Sequence, residues 1–186
     1  IGTDFLLAIA GGGSIRLAGS LASGFSRVDF VEFADGTVWD VAQLLALSTT
    51  SNGGNDAFIG SDLADTLDGG AGADTLLGGS GADTLRGGTG NDALDGGGEA
   101  DRTLYEAGDG DDTISTAGFD FDVNDRLLLG AGITTADVTV TQENGTDFLL
   151  AIAGGGSILL AGSLASGFSR VDFVEFADGT VWDLAQ

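Results

Sequence analysis

Residues 69–95 read GGAGADTLL, GGSGADTLR and GGTGNDALD, three consecutive nonapeptides in one frame, and that frame decides the fold. Working outward, it extends back through GSDLADTLD at 60–68 and SNGGNDAFI at 51–59. Forward, it runs into a frayed GGGEADRTL at 96–104, and AGDGDDTIS at 107–115 closes the run after a two-residue insertion. Asp recurs as Asp56, Asp65, Asp74, Asp83, Asp92 and Asp101, then as Asp112. Two places after each stands a large apolar residue: Phe58, Leu67, Leu76, Leu85, Leu94 and Ile114, with Leu104 one place late in the frayed unit.

Nine residues divide into a six-residue turn and a three-residue strand. Glycines at positions 1, 2 and 4 permit positive φ and close backbone approach. The Thr/Ala-Leu-x segment fits a short strand with one inward side chain. Two units make a coil of 18 residues, with a strand on each side and the position-8 residues facing inward. One coil cannot bury that ladder, so coils must stack. Stacking in register also stacks the carboxylates, about 4.8 Å apart per coil, where like charges repel unless a cation intervenes. Calcium suits such a place. It is hard, takes oxygen donors and accepts backbone carbonyls, whereas magnesium demands stricter octahedral geometry and keeps its water. The files run i, i+18: Asp56, Asp74, Asp92 and Asp112 on one edge, Asp65, Asp83 and Asp101 on the other. With one ion between successive members, about five ions or more are expected. The candidate metal set also includes Asp62 and Asp109, with the turn glycines Gly70, Gly72, Gly79, Gly81, Gly88 and Gly90.

GGAGADTLL, GGSGADTLR and GGTGNDALD resemble the GGxGxDxUx nonapeptide of the repeats-in-toxin, or haemolysin-type calcium-binding, family. The resemblance covers about 51–115. It implies a right-handed parallel β-roll with calcium in the turns, in proteins exported by type I secretion. DRLLLGAGIT at 125–134, with the DFLLAIAGGGSI and VEFADGTVWD stretches, resembles the family's haemolysin-type calcium-binding-related domain. The expected fold is all-β: the roll, with antiparallel strand-rich cap domains flanking it. Unit 60–68 departs from the pattern at Ser61 and Leu63, and Glu99 replaces a glycine in the frayed unit.

A second repeat operates at larger scale. Residues 2–43 recur at 145–186 with only Arg16/Leu159 and Val41/Leu184 different, an offset of 143. The chain is therefore expected to be a slice of a longer tandem array. The segments are 1–48, the end of a preceding cap with a short helix begun by Asp40; 49–118, the roll; and 119–186, the next cap. In the cap, short strands are expected at Asp137–Thr141, Asp147–Ala153, Ser157–Leu160 and Val171–Phe176, and Asp178-Gly179 marks a hairpin turn.

Composition narrows the functions. The 186 residues hold 34 Gly and no Pro, Cys, Met, His or Lys; all six basic residues are Arg, against 29 acids and a net charge of −23. Without His, Cys or Lys there is no Ser-His-Asp triad, thiol nucleophile, ordinary zinc site or Schiff base. The acidity argues against nucleic acid. Hydrophobic residues at 42% supply a core, but no apolar run is long enough to span a membrane. Asp120–Asp125 begins like an EF-hand, yet position 6 is Asp125 and position 12 is Ala131; a solvated turn or a further calcium ligand remains. Trp39 and Trp182 read as core or as a sugar platform. No catalytic residue is expected. The expectation is a calcium-binding structural module of a secreted bacterial adhesin, surface-layer or filament protein, extracellular or at the cell surface. Its partners would be neighbouring repeats, with lateral self-association or surface glycans. The alternatives are a secretion-and-folding tail of an exported toxin or hydrolase, and a carbohydrate-binding module.

Overall fold

The computed structural model describes residues 5–8, 14–17, 30–34, 36–40, 53–115, 124–162 and 171–184. The chain divides into two compact units, Ile1–Thr49 and Thr50–Gln186. In the first, β1 (Phe5–Ala8) pairs antiparallel with β2 (Ser14–Leu17), and β3 (Phe30–Glu32) with β4 (Val38–Asp40). The β3–β4 turn is closed by the Gly36 N–H on the Phe33 carbonyl at 2.9 Å. The helix expected after Asp40 lies outside the described residues.

The second unit is built on β5 (Ala57–Ile59), β6 (Thr66–Ala71), β7 (Thr75–Ser80), β8 (Thr84–Thr89), β9 (Ala93–Gly98), β10 (Arg102–Tyr105) and β11 (Asp111–Ser115). Successive strands alternate between two parallel sheets, so each pair of nonapeptides supplies one strand to each. The position-8 residues form two inward ladders. Leu67, Leu85, Thr103, Leu127 and Val174 stand in register in one sheet, and Phe58, Leu76, Leu94, Ile114 and Leu160 in the other. All belong to the buried interior, Leu76 and Leu85 with no exposed surface. Removing each such side chain from water contributes about 1.5–3 kcal/mol.

Two local expectations are corrected. The central strands are six residues long, not three, taking in positions 7–9 and 1–3 and leaving only 4–6 as turn. The first two glycines remain in the ladder because their backbone groups pair across coils, as Gly70 with Gly88 and Gly79 with Gly97. In the frayed unit the register holds, so Thr103 occupies the ladder and is buried, while Leu104 turns outward.

Both sheets continue past the repeats. β12 (Arg126–Leu129) adds parallel to β10, and β16 (Phe173–Phe176) adds parallel to β12. β15 (Ser157–Ala161) adds parallel to β11. Only then does the direction reverse: β13 (Val138–Glu143) and β14 (Asp147–Ile152) run antiparallel outside β15, and β17 (Val181–Asp183) outside β16. The β13–β14 turn has positive φ at both Asn144 (49°) and Gly145 (80°), the hairpin geometry that an Asn-Gly pair favours. The β16–β17 turn is closed by the Gly179 N–H on the Phe176 carbonyl.

Candidate metal centre

The nonapeptide aspartates line up in two files, one along each edge of the roll. In the first, the backbone N–H of each Asp donates to Oδ1 of the Asp one coil on: Asp56 to Asp74 at 2.7 Å, Asp74 to Asp92 at 2.8 Å, Asp92 to Asp112 at 3.0 Å. In the second, Asp65 donates to Asp83 and Asp83 to Asp101, both at 2.8 Å. This file continues where the nonapeptides have ended: Asp101 donates to Asp125 Oδ1 at 2.9 Å, and Asp125 to Asp172 Oδ2 at 3.2 Å. Asp125 is thus not part of an EF-hand loop; it is buried beside the second file, as is Asp172. Both were missed by the period of nine. A subtler signal marks them, since each is followed two places on by a ladder residue, Leu127 and Val174.

With Oδ1 engaged by backbone, Oδ2 decides the chemistry. In Asp74, Asp83 and Asp92 this oxygen is buried and accepts no hydrogen bond among the described residues. Each faces the first glycine of its own unit. A Cβ on Gly69 would stand 2.5 Å from Asp74 Oδ2, and Cβ atoms on Gly78 and Gly87 would overlap Asp83 and Asp92 Oδ2 in the same way. An orphaned buried carboxylate oxygen costs several kcal/mol unless it is protonated or meets a cation. Burial accordingly pushes Asp83 up to about 6, with the Asp65 and Glu99 charges adding to it. Burial likewise pushes Asp112 up to about 7, reinforced by Asp92, and raises Asp92.

The donor set fits a hard cation: buried carboxylate oxygens surrounded by carbonyl-lined glycine turns. No cluster of three or more carboxylates exists among the described residues. The files explain why, for each coil brings one Asp to each edge, so most of any coordination shell must be backbone oxygen. Gly70, Gly79 and Gly88 at position 2 and Gly72, Gly81 and Gly90 at position 4 all have positive φ. They stack face to carbonyl; a Cβ on Gly88 would overlap the Gly70 carbonyl, and one on Gly90 the Gly72 carbonyl.

The other candidates stand apart. Asp65 is in the file, but its Oδ2 accepts from the Ser61 N–H at 2.6 Å and the Ser61 hydroxyl at 2.9 Å, so the irregular unit satisfies that oxygen with protein. Asp62 is exposed and outside both files. Asp109 is buried but serves its own turn, accepting the Glu106 N–H at 2.7 Å. Trp182 packs at the margin of the core, edge-on to Phe176 at 4.7 Å.

A stacked glycine–aspartate roll with orphaned, buried oxygen donors defines a calcium-binding repeat module. The RTX calcium-binding nonapeptide repeat matches residues 50–85 and 68–103, and the haemolysin-type calcium binding protein related domain matches 4–43 and 147–186. The chain is therefore an RTX nonapeptide-repeat protein carrying that related domain on both sides of its repeats. Among solved structures it is similar to the AlgE6R3 subunit of the Azotobacter vinelandii mannuronan C5-epimerase, with 26% identity, 69% of this chain and 82% of the other covered, and a TM-score of 0.49. No curated protein matches the chain.

Proposed function

We propose that this chain is a structural unit of a secreted, non-enzymatic bacterial surface protein, an adhesin, surface-layer or filament component, which folds and stiffens on meeting extracellular calcium. The observation that carries this reading is the pair of aspartate files, in which Oδ2 of Asp74, Asp83 and Asp92 is buried in the glycine turns and accepts no hydrogen bond among the described residues. Asp56, Asp74, Asp92 and Asp112 would hold ions along one edge and Asp65, Asp83 and Asp101 along the other, about five in all, with carbonyls of the glycine turns completing the shells. The roll is right-handed, and residues 119–186 cap it. Repetition of residues 2–43 at 145–186 supports one period of a tandem array, with neighbouring repeats of the same chain as its partners. Lateral association and surface glycans would supply the remaining partners.

Residues 51–115 hold 12 Asp, 2 Glu and 2 Arg, a net charge of −12. Extracellular calcium modules bind at about 10⁻⁴–10⁻³ M, which would leave the chain unfolded before export and folded after it. Calorimetric calcium titration with far-UV circular dichroism tests this. Uptake of about five ions coupled to a gain of strand signal is expected; uptake with an unchanged spectrum, or no uptake, overturns it. For the array, a polypeptide of several 143-residue periods should scatter X-rays as a rod in calcium, and a flexible-chain profile refutes that role.

A further inference from the structure

On the outer edge of the roll, beside the second aspartate file, lies a groove of about 370 Å³ lined by Thr84, Arg102, Asn124 and Arg126, with Ala82 and Ala100 as its small-residue floor. Its position follows from the fold. Thr84, Arg102 and Arg126 occupy position 7 of three successive coils and stand in register on adjacent parallel strands. Their backbones are thus about 4.8 Å apart. Two of the chain's six basic residues have been placed side by side, although like charges on neighbouring strands oppose each other.

The two guanidinium groups are used differently. Arg126 is fixed: Nη1 donates to Glu175 at 3.0 Å, and its guanidinium carbon lies 4.9 Å from the centre of the Phe173 ring. The Arg102 side chain is exposed and makes no ion pair or hydrogen bond among the described residues, in a chain with 29 acids available. Arg86 shows the contrast, bridging Asp68 at 3.9 Å and Glu106 at 3.1 Å. An unpaired guanidinium fork beside a second, fixed one is a geometry for a planar carboxylate. A hydroxyl from Thr84 and an amide from Asn124 flank it, the donors and acceptors that a sugar ring meets. The groove's volume suits one small ligand.

We propose that this groove binds a carboxylate-bearing sugar, with Arg102 as the principal contact and Arg126 as a fixed second. A second copy of the chain would also offer carboxylates, but its charge of −23 opposes approach to an equally acidic molecule. Asp83 lines the same groove, so its file must be neutralised before an anion settles there. The expected calcium requirement rests on the metal reading above.

The test uses the full chain in about 5 mM calcium, above the affinity range of such modules, titrated with sodium glucuronate and followed by calorimetry and the Arg Nε–Hε NMR signals. Saturable binding is expected for glucuronate and not for glucose, with the Arg102 signal shifting. Arg102→Gln should weaken it at least tenfold, with an unchanged dichroism spectrum, while Arg86→Gln should not alter it. A folded chain that ignores glucuronate, or an Arg102→Gln variant that binds as well, overturns the proposal. Acetate binding as tightly as glucuronate overturns the assignment to a sugar. Self-association in sedimentation that Arg102→Gln abolishes overturns it in favour of a second copy. Glucuronate binding by folded chain without calcium upholds the groove and refutes only the metal reading.

Discussion

Protons should substitute for calcium in this roll. Asp83 and Asp112 carry folded-state values of about 6 and about 7 against an ordinary 3.8, because each is held in a buried file. Both are raised, so between those limits the folded chain binds more protons than the unfolded one. Their contribution is complete below pH 3.8 and is lost as pH rises through about 6 for Asp83 and about 7 for Asp112. At 1.36 kcal/mol per pH unit, ionising them inside the fold costs roughly 3 and 4 kcal/mol. They belong to different files, so about 7 kcal/mol in total is at stake, a large share of the 5–15 kcal/mol that holds a typical domain together. About 4 kcal/mol of it returns at pH 5, still above the sequence pI of about 4.1, where the chain would be least soluble.

The assay is urea unfolding of calcium-free protein, followed by far-UV circular dichroism at pH 5 and pH 7.5. The midpoint should be higher at pH 5, and the strand signal without urea should be stronger there. Calcium at pH 7.5 should restore what acid supplies. The double variant Asp83→Asn/Asp112→Asn keeps the Oδ1 acceptors for the Asp65 and Asp92 N–H groups and removes both charges. It should show at pH 7.5 much of the stability that the unaltered chain shows only in acid. Equal midpoints at the two pH values without calcium would refute the argument that the orphaned oxygens make the fold cation-dependent.

Leu85→Ala, at a ladder position with no exposed surface, should cost about 2–5 kcal/mol, and extra calcium should not restore the lost packing in thermal melts. Asp83→Ala should instead weaken two sites together and be partly rescued by calcium through mass action; equal rescue of the two variants would contradict their assigned roles. Ser61→Gly frees the Asp65 oxygen that Ser61 now satisfies, so calcium should bind the Asp65 site more tightly in calorimetry than in the unaltered chain; an unchanged affinity would place that turn outside the metal file. Gly90→Ala demands φ of 141° from alanine and overlaps the Gly72 carbonyl, so its dichroism in calcium should resemble that of the chelated chain, and a native-like spectrum would refute the tight stacking.

The two-sided coil was legible because a nine-residue period with one Asp and one apolar residue admits few arrangements that bury the latter and pair the backbone. The i, i+18 neighbours follow from that count alone. Strand length was not legible, since glycine carries no propensity for strand and reads as turn, whereas here Gly70 and Gly79 stay in the ladder through backbone pairing across coils. Asp125 and Asp172 escaped because they follow their file partners by 24 and 47 residues, separations that no short period contains. Ser61 was visible as a departure, but only the structure shows that its hydroxyl and amide both donate to one oxygen of Asp65. Arg86, at an outward ninth position that no period marks as special, spans Asp68 on the neighbouring strand and Glu106 just past β10; such exposed pairs contribute about 0.2–1 kcal/mol.

The roll changes chemistry along its length, and the change explains where the repeats stop. At position 1 the early coils have Gly69 and Gly87, whose missing side chains leave room for Asp74 and Asp92 Oδ2. The next coils of that sheet place Tyr105, Leu129 and Phe176 there, in register and buried. On that same edge Asp112 is followed in register by Ile158, so an apolar side chain stands where the next carboxylate would be. Tyr105 fastens this edge, its hydroxyl donating to the Gly110 carbonyl at 2.8 Å. Burial pushes that hydroxyl up to about 12, so it remains a donor at any ordinary pH. Each replacement removes a need for a cation and adds apolar area, about 25 cal/mol per Å² of stabilisation. Along the first file the nonapeptide end thus carries buried carboxylates that a cation would satisfy, whereas apolar side chains take their place beyond Asp112; the second file alone goes on, through Asp125 and Asp172. The apolar coils beyond Asp112 need no cation on that edge, and so offer a packed surface against which the carboxylate-lined coils can be laid down.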